Sequence, residues 1–178
     1  MSFELLSSEI VYPGRAFTVR RDNLRLPDGH ETKLDIVEHP GSVTIVPMDA
    51  GGRVIFVRQY RHAAGRDLLE LPAGTLDAGE TPESCARREI REETGMAAGK
   101  IVLLGAFYLA PGYSTEYMNI YLATDLRPSP LKADADEFLS VEYISLIDAV
   151  AMAGRDEIQD AKSLAGLFLV QQHLEKQK

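Results

Sequence analysis

The amino-acid sequence predicts an α/β fold of the α+β kind: a mixed sheet with helices packed against it. Three observations predict it. Up to Leu71, short runs of alternating apolar residues are separated by turn residues. One segment, Thr81 to Gly95, carries both a helix start and a helix stop. The C-terminal stretch repeats apolar residues at helical spacing.

The elements follow in order. Phe17 to Leu26 and Glu31 to Glu38 read as two strands of an N-terminal hairpin. Pro27-Asp28-Gly29 joins them, because proline presets φ and glycine tolerates φ > 0. Ser42 to Met48 and Arg53 to Tyr60 form a second pair across Asp49-Ala50-Gly51-Gly52. Leu68 to Leu71 is a short strand ended by Pro72. The helix then opens with Thr81 as N-cap and Pro82 at the first position, where a missing N–H costs nothing, and it stops at Gly95. Strands resume at Ile101 to Ala110, Tyr117 to Ala123 and Phe138 to Ile144. Helices at Leu146 to Ala153 and Asp160 to Glu175 close the chain, the latter with Leu164, Leu167, Phe168, Gln171 and Leu174 as its expected buried stripe. Aromatic residues at alternating strand positions are expected in the core. Pro40-Gly41 divides the chain into an N-terminal hairpin region, 1–40, and a main domain, 41–178.

Composition narrows the function. The 178 residues are 45% apolar and 26% charged, enough to bury a core and typical of a globular chain. Nineteen Lys and Arg against 27 Asp and Glu leave a net charge of −8, which disfavours nucleic-acid backbones and suits small ligands or metal ions. Cys85 is the single cysteine, so a disulfide framework and a cysteine zinc cluster are excluded. His30, His39, His62 and His173 show no ligand spacing. No apolar run approaches the roughly 20 residues that span a membrane, and no basic stretch precedes a long apolar one at the N-terminus. The expectation is a cytoplasmic protein without a membrane or nucleic-acid partner.

The helix carries the chemistry. Gly74 to Met96 reads GTLDAGETPESCARREIREETGM. With Glu89 at zero on a helical wheel, Glu93 lies at about +40° and Glu92 at about −60°, while Ala86 and Ile90 lie at about +60° and +100°. Three carboxylates therefore share a face beside the buried stripe. Like charges at that spacing cost roughly 0.2–0.5 kcal/mol per pair, and a divalent cation reverses the sign. A solvated helix of mixed charge, with Arg88 paired to Glu92, would account for REIREE alone. The rest of the segment decides against it.

Gly74, Glu80, Arg88, Glu89, Ile90, Glu92, Glu93, Gly95 and Met96 match the Nudix box without a departure. Seven fixed identities and two apolar positions arise by chance at roughly 10⁻⁹ per start position. The segment thus resembles the Nudix hydrolases, which cleave a nucleoside diphosphate linked to another moiety with Mg²⁺ or Mn²⁺. The resemblance implies a mixed sheet between helices, an α/β/α sandwich. It implies Glu89 and Glu93 as principal metal ligands, Glu92 as a direct or water-mediated one, the Ala73 carbonyl as another, and Arg88 as the residue that orients the glutamates.

Leu69-Glu70-Leu71-Pro72-Ala73-Gly74, together with Pro111 placed 16 residues beyond Gly95, resembles the ADP-ribose pyrophosphatase and nucleoside diphosphate sugar hydrolase branch. That branch implies a phosphate contact at Arg61, base stacking that makes Phe17 a candidate, and a homodimer with exchanged N-terminal hairpins. It also implies a late acidic loop carrying the catalytic base. Glu137 in Asp134-Ala135-Asp136-Glu137-Phe138 is the first choice, although Ala135 departs from the family's acidic pattern. Glu116 and Glu70 are the fallback candidates. The reading is Mg²⁺-dependent hydrolysis of ADP-ribose, with GDP-mannose or another sugar nucleotide as rival substrates and a non-catalytic ADP-ribose sensor as the rival class.

Overall fold

Ser42–Pro47 (β4) is buried along its whole length, and the main unit is built around it. The structure is a computed structural model that describes residues 2–132 and 138–177. Its contacts divide the chain into two compact units: Met1–Gly41 with Tyr108–Tyr117, and Ser42–Phe107 with Met118–Lys178.

In the first unit, β1 (Glu4–Pro13), β2 (Thr18–Arg25) and β3 (Glu31–Glu38) form an antiparallel sheet in the order β1-β2-β3. The expected hairpin is therefore a three-stranded sheet. β1 escaped sequence reading because it does not alternate: it is exposed at every position, so no core face imposes a period of two. The turn before β3 places Gly29 at φ +90°, as its Pro-Asp-Gly sequence requires. The segment 108–117 joins this unit through paired bonds, Val37 N–H to the Tyr113 carbonyl at 2.8 Å and Thr115 N–H to the Val37 carbonyl at 3.0 Å.

In the second unit, β4 pairs in parallel with β9 (Tyr117–Pro128) and antiparallel with β7 (Ala73–Thr75), giving the order β7-β4-β9-β8, where β8 is Met96–Tyr108. A second sheet, β10-β5-β6, joins Leu139–Ser145, Arg53–Arg61 and Arg66–Glu70. The side chains of β4 alternate between two helices. Val43 and Ile45 pack with Cys85, Ala86 and Ile90 of α1 (Pro82–Thr94). Val46 meets the opposite layer, α3 (Ala161–Glu175), where Gly166 approaches Val46 and Leu71. This is the helix–sheet–helix sandwich the sequence implied. The short α2 (Leu146–Ala153) has the expected bounds.

Two expectations are corrected. The buried positions of α3 are Ser163, Gly166, Leu167 and Val170, whereas Leu164 and Phe168 are exposed. The small residues Ser163 and Gly166 let the helix sit close to the sheet, so close approach rather than side-chain size selects the face. Phe56 and Tyr121 are buried, whereas Tyr60, Tyr108, Tyr113, Tyr117 and Tyr143 are exposed, so the aromatics are not chiefly core residues. The core is aliphatic instead. Among the described residues no helix is long and apolar enough to cross a membrane.

Candidate active site

Helix α1 is fixed at both ends by local chemistry. Thr81 accepts from the Ser84 N–H and the Ser84 hydroxyl accepts in return from the Thr81 N–H, a capping box, with Pro82 following. Gly95 ends the helix at φ +71°, where a side chain would be strained. Ala86 and Ile90 are fully buried against β4, and this turns Glu89 and Glu93 inward, leaving them only 7% and 4% exposed.

The corner Glu70-Leu71-Pro72-Ala73-Gly74 faces those carboxylates and is fastened at every residue. Glu70 is gripped by Arg61 and Lys162. Leu71 N–H donates to the Ser163 hydroxyl at 2.7 Å. The Pro72 carbonyl accepts from Ile45 N–H at 2.8 Å. Ala73 N–H donates to Glu93 Oε2 at 3.0 Å. Gly74 lies against the Glu89 side chain, so close that a Cβ there would overlap it.

Arg88 is the hub of the helix's charges. Its Nη1 donates to Glu89 Oε1 at 2.6 Å and to Glu92 Oε2 at 2.9 Å, and its Nε and Nη2 take both oxygens of Glu80 at 3.1 and 2.9 Å. The bonds from Arg88 hold the Glu80 carboxyl down to about 2, far below the usual carboxylate range. The same partners raise the Arg88 guanidinium above its ordinary value. Cys85, beside them, is fully buried. Burial pushes its thiol up, and the Glu89 charge adds to this, so it is a packed filler and no nucleophile.

The donor set suits a hard divalent cation. Three carboxylates hydrogen-bond to the single guanidinium of Arg88, and the buried oxygens of Glu89 and Glu93 lie beside the Ala73-Gly74 backbone. Among the described residues, however, no three His, Cys, Asp or Glu side chains converge on one point. Glu89 and Glu92 turn to Arg88, and Glu93 to the Ala73 N–H, so Arg88 competes directly for the oxygens the resemblance assigns to metal.

The other expected residues are distributed as follows. Arg61 ends β5 within the same unit and forms a two-pronged ion pair with Glu70, at 3.0 and 2.7 Å. Burial would raise the Glu70 carboxyl, but Arg61 and Lys162 bring it below the usual range. It is 1% exposed and both of its oxygens are engaged by the two cations, so the structure places it as a partner of Arg61 and Lys162. Phe17 and Glu116 belong to the first unit: Phe17 is exposed, and Glu116 sits in the turn after Pro111, its N–H bonded to the Ser114 hydroxyl. Glu137 lies outside the described residues, as do its neighbours 133–136. Sequence reasoning missed Lys162, Asp160 and Ser163. Their only local signal is the N-cap pattern at Asp160, which gives no hint that the first turn of α3 meets Glu70.

Comparison with known proteins gives the family. The NUDIX domain model matches residues 38–167. The chain is 42% identical over 173 residues to the ADP-ribose pyrophosphatase of Mycobacterium tuberculosis (strain ATCC 25618 / H37Rv), covering 94% of this chain and 83% of that one. It is 35% identical over 168 residues to the ADP-ribose pyrophosphatase of Bacillus subtilis (strain 168), covering 93% and 91%. A solved structure described as an ADP compounds hydrolase superposes with a TM-score of 0.89 at 28% identity, over 99% of this chain and 96% of that one. With an intact box on a capped helix and this breadth of similarity, the chain belongs to the NUDIX domain family.

Proposed function

We propose that this protein hydrolyses the pyrophosphate of a nucleoside diphosphate sugar, with ADP-ribose as preferred substrate and AMP and ribose 5-phosphate as products. The observation that carries the proposal is the meeting of the buried Glu89 and Glu93 with the Ala73-Gly74 corner, in a chain similar over most of its length to ADP-ribose pyrophosphatases.

Hydrolysis adds one water across the P–O–P bridge: one phosphorus–oxygen bond forms, one breaks, and a proton leaves the attacking water. When bound, Mg²⁺ or Mn²⁺ would supply charge neutralisation of phosphate oxygens and a more acidic attacking water. Glu89, Glu93 and the Ala73 carbonyl would hold it, with Glu92 assisting. Arg88 orients the glutamates. Arg61 has three guanidinium N–H groups beyond the two that Glu70 takes, and these are offered to the substrate's phosphates. Glu137 is proposed as the base that accepts the water's proton. Phe17 and Glu116 are proposed as substrate contacts, each checked by the rise in KM of its alanine variant.

The test is turnover on ADP-ribose, GDP-mannose, ADP-glucose and NADH with Mg²⁺, read as phosphate released on adding phosphatase. A preference for ADP-ribose is expected. A preference for another sugar nucleotide would keep the mechanism and discard the adenine assignment. Silence on every substrate, with ADP-ribose still binding in calorimetry, would favour the sensor, although the box keeps all its glutamates.

The proposal includes a homodimer formed through the N-terminal sheet, with the hairpin region exchanged between subunits. Phe3, Leu5, Ile10 and Tyr12 on and beside β1 are all more than half exposed, a run of apolar surface that a second copy would cover. Light scattering at micromolar concentration should give twice 19.6 kDa, and a monomer mass would refute it. A single buried thiol suits the reducing cytoplasm, where we place the activity.

A further inference from the structure

Four charged side chains alternate in sign where β5, β6 and the first turn of α3 meet. Arg61 donates to both oxygens of Glu70. Glu70 Oε2 also accepts from Lys162 Nζ, and Lys162 donates in turn to Asp160 Oδ1 at 2.8 Å. Asp160 is the N-cap of α3, accepting from Ser163 N–H at 3.0 Å through the same oxygen. Its other oxygen is buried and, among the described residues, lacks a hydrogen-bond partner. Lys162 is 13% exposed and Glu70 1%, whereas the Arg61 side chain is 42% exposed.

We infer that Lys162 is a positioning residue for Arg61: by clamping Glu70 to the start of α3, it fixes the carboxylate that aims the guanidinium. The inference rests on the proposed role of Arg61 as the phosphate contact. Its physical ground is charge balance. Without the ammonium, the Glu70 and Asp160 carboxylates lose the cation they share, and Arg61 is left as the cation that both attract. Asp160 already acts on the Arg61 charge. The guanidinium would then be drawn inward, and the donors meant for phosphate would be spent on protein. Removing one partner of a buried ion pair leaves the other charge uncompensated, so loss of the ammonium must be met at Glu70 by its remaining cation, Arg61. An orienting role requires a charge at this place, and Lys162 supplies it where Leu71 N–H and Ser163 already fix the backbone.

The test uses the full chain with ADP-ribose and Mg²⁺. Lys162→Met is expected to raise KM by about tenfold with kcat within about twofold, and Lys162→Arg to restore KM to within about threefold. On an Arg61→Ala background, Lys162→Met should add nothing, because the residue it positions is gone. If Lys162→Met does not fold, Lys162→Gln gives the same comparison. An unchanged KM in the single variant overturns the inference, and so does an equal rise on the Arg61→Ala background, which marks the lysine as structural. Arg61→Ala alone separates the two proposals: if it leaves KM unchanged, the phosphate role itself falls.

Discussion

The side chain of Glu89 fills the space in which any side chain at position 74 would begin. A Cβ built on Gly74 falls 2.6 Å from Glu89 Cγ and overlaps the carboxylate beyond it. Gly74 is absent from the positive-φ glycines, so glycine is required there for room and not for backbone freedom. The close approach brings a box carboxylate onto the backbone of β7.

Gly74→Ala is therefore expected to displace Glu89 without unfolding the chain, because the clash is with a flexible side chain. Activity should fall by about 10²-fold while the melting temperature moves little, as misplacement alone is that costly. Paired kcat/KM and circular-dichroism melts check it, and near-normal turnover would refute the close-approach argument.

Glu93→Gln keeps the shape of the side chain. Its amide oxygen can still accept the Ala73 N–H now bonded at 3.0 Å, so folding should survive. What is lost is one negative charge toward the proposed metal ion, and kcat should drop by about 10³-fold or more. Chelation of the wild-type protein should abolish turnover, and added Mg²⁺ or Mn²⁺ should restore it.

Acid should weaken the fold through Glu80. Its carboxyl is held at about 2 in the folded chain, against 4.5 as its ordinary value. The unfolded chain therefore binds the extra proton first. The Glu80–Arg88 contribution is fully present above about pH 4.5 and is lost as pH falls toward about 2. Urea midpoints across that range should fall less steeply for Glu80→Gln than for wild type. Equal slopes would show that the pair contributes nothing to acid sensitivity.

The face of α3 can be tested by contrast. A side chain at Gly166 would meet Leu71 Cδ1 at 2.5 Å and Val46 Cγ2 at 3.4 Å, so Gly166→Val should cost about 1–3 kcal/mol by overpacking. Phe168→Ser, at an exposed position, should stay within about 0.5 kcal/mol of wild type. Denaturant unfolding measures both, and a larger loss at Phe168 would reverse the assignment of faces.

Much of the site was legible in the sequence. Thr81, Pro82 and Gly95 bound the helix because caps and φ preferences act over a few residues. Ala86 and Ile90 set its buried face, and with it the inward turn of Glu89 and Glu93, because helical spacing is itself local. The box could be read because its chemistry demands fixed residue types at fixed distances. The buried stripe of α3 keeps Leu167 but otherwise departs from the expected one, for the opposite reason. Leu164 and Phe168 are the larger apolar residues, but which side of a helix is buried depends on the surface it meets, and Gly166 fits that surface where Phe168 cannot. β1 lacked a legible pattern because it has no buried face.

The sequence by itself determined the capped helix, its carboxylates and the family to which they belong, since all of them are written in one continuous stretch of chain, Gly74 to Met96. Only the tertiary structure decided that Glu70 is clamped between Arg61 and Lys162. Its partner Lys162 lies 92 residues away, and a charge pair over that separation exists only once the packing of β4 between α1 and α3 has brought the first turn of α3 onto the end of β6.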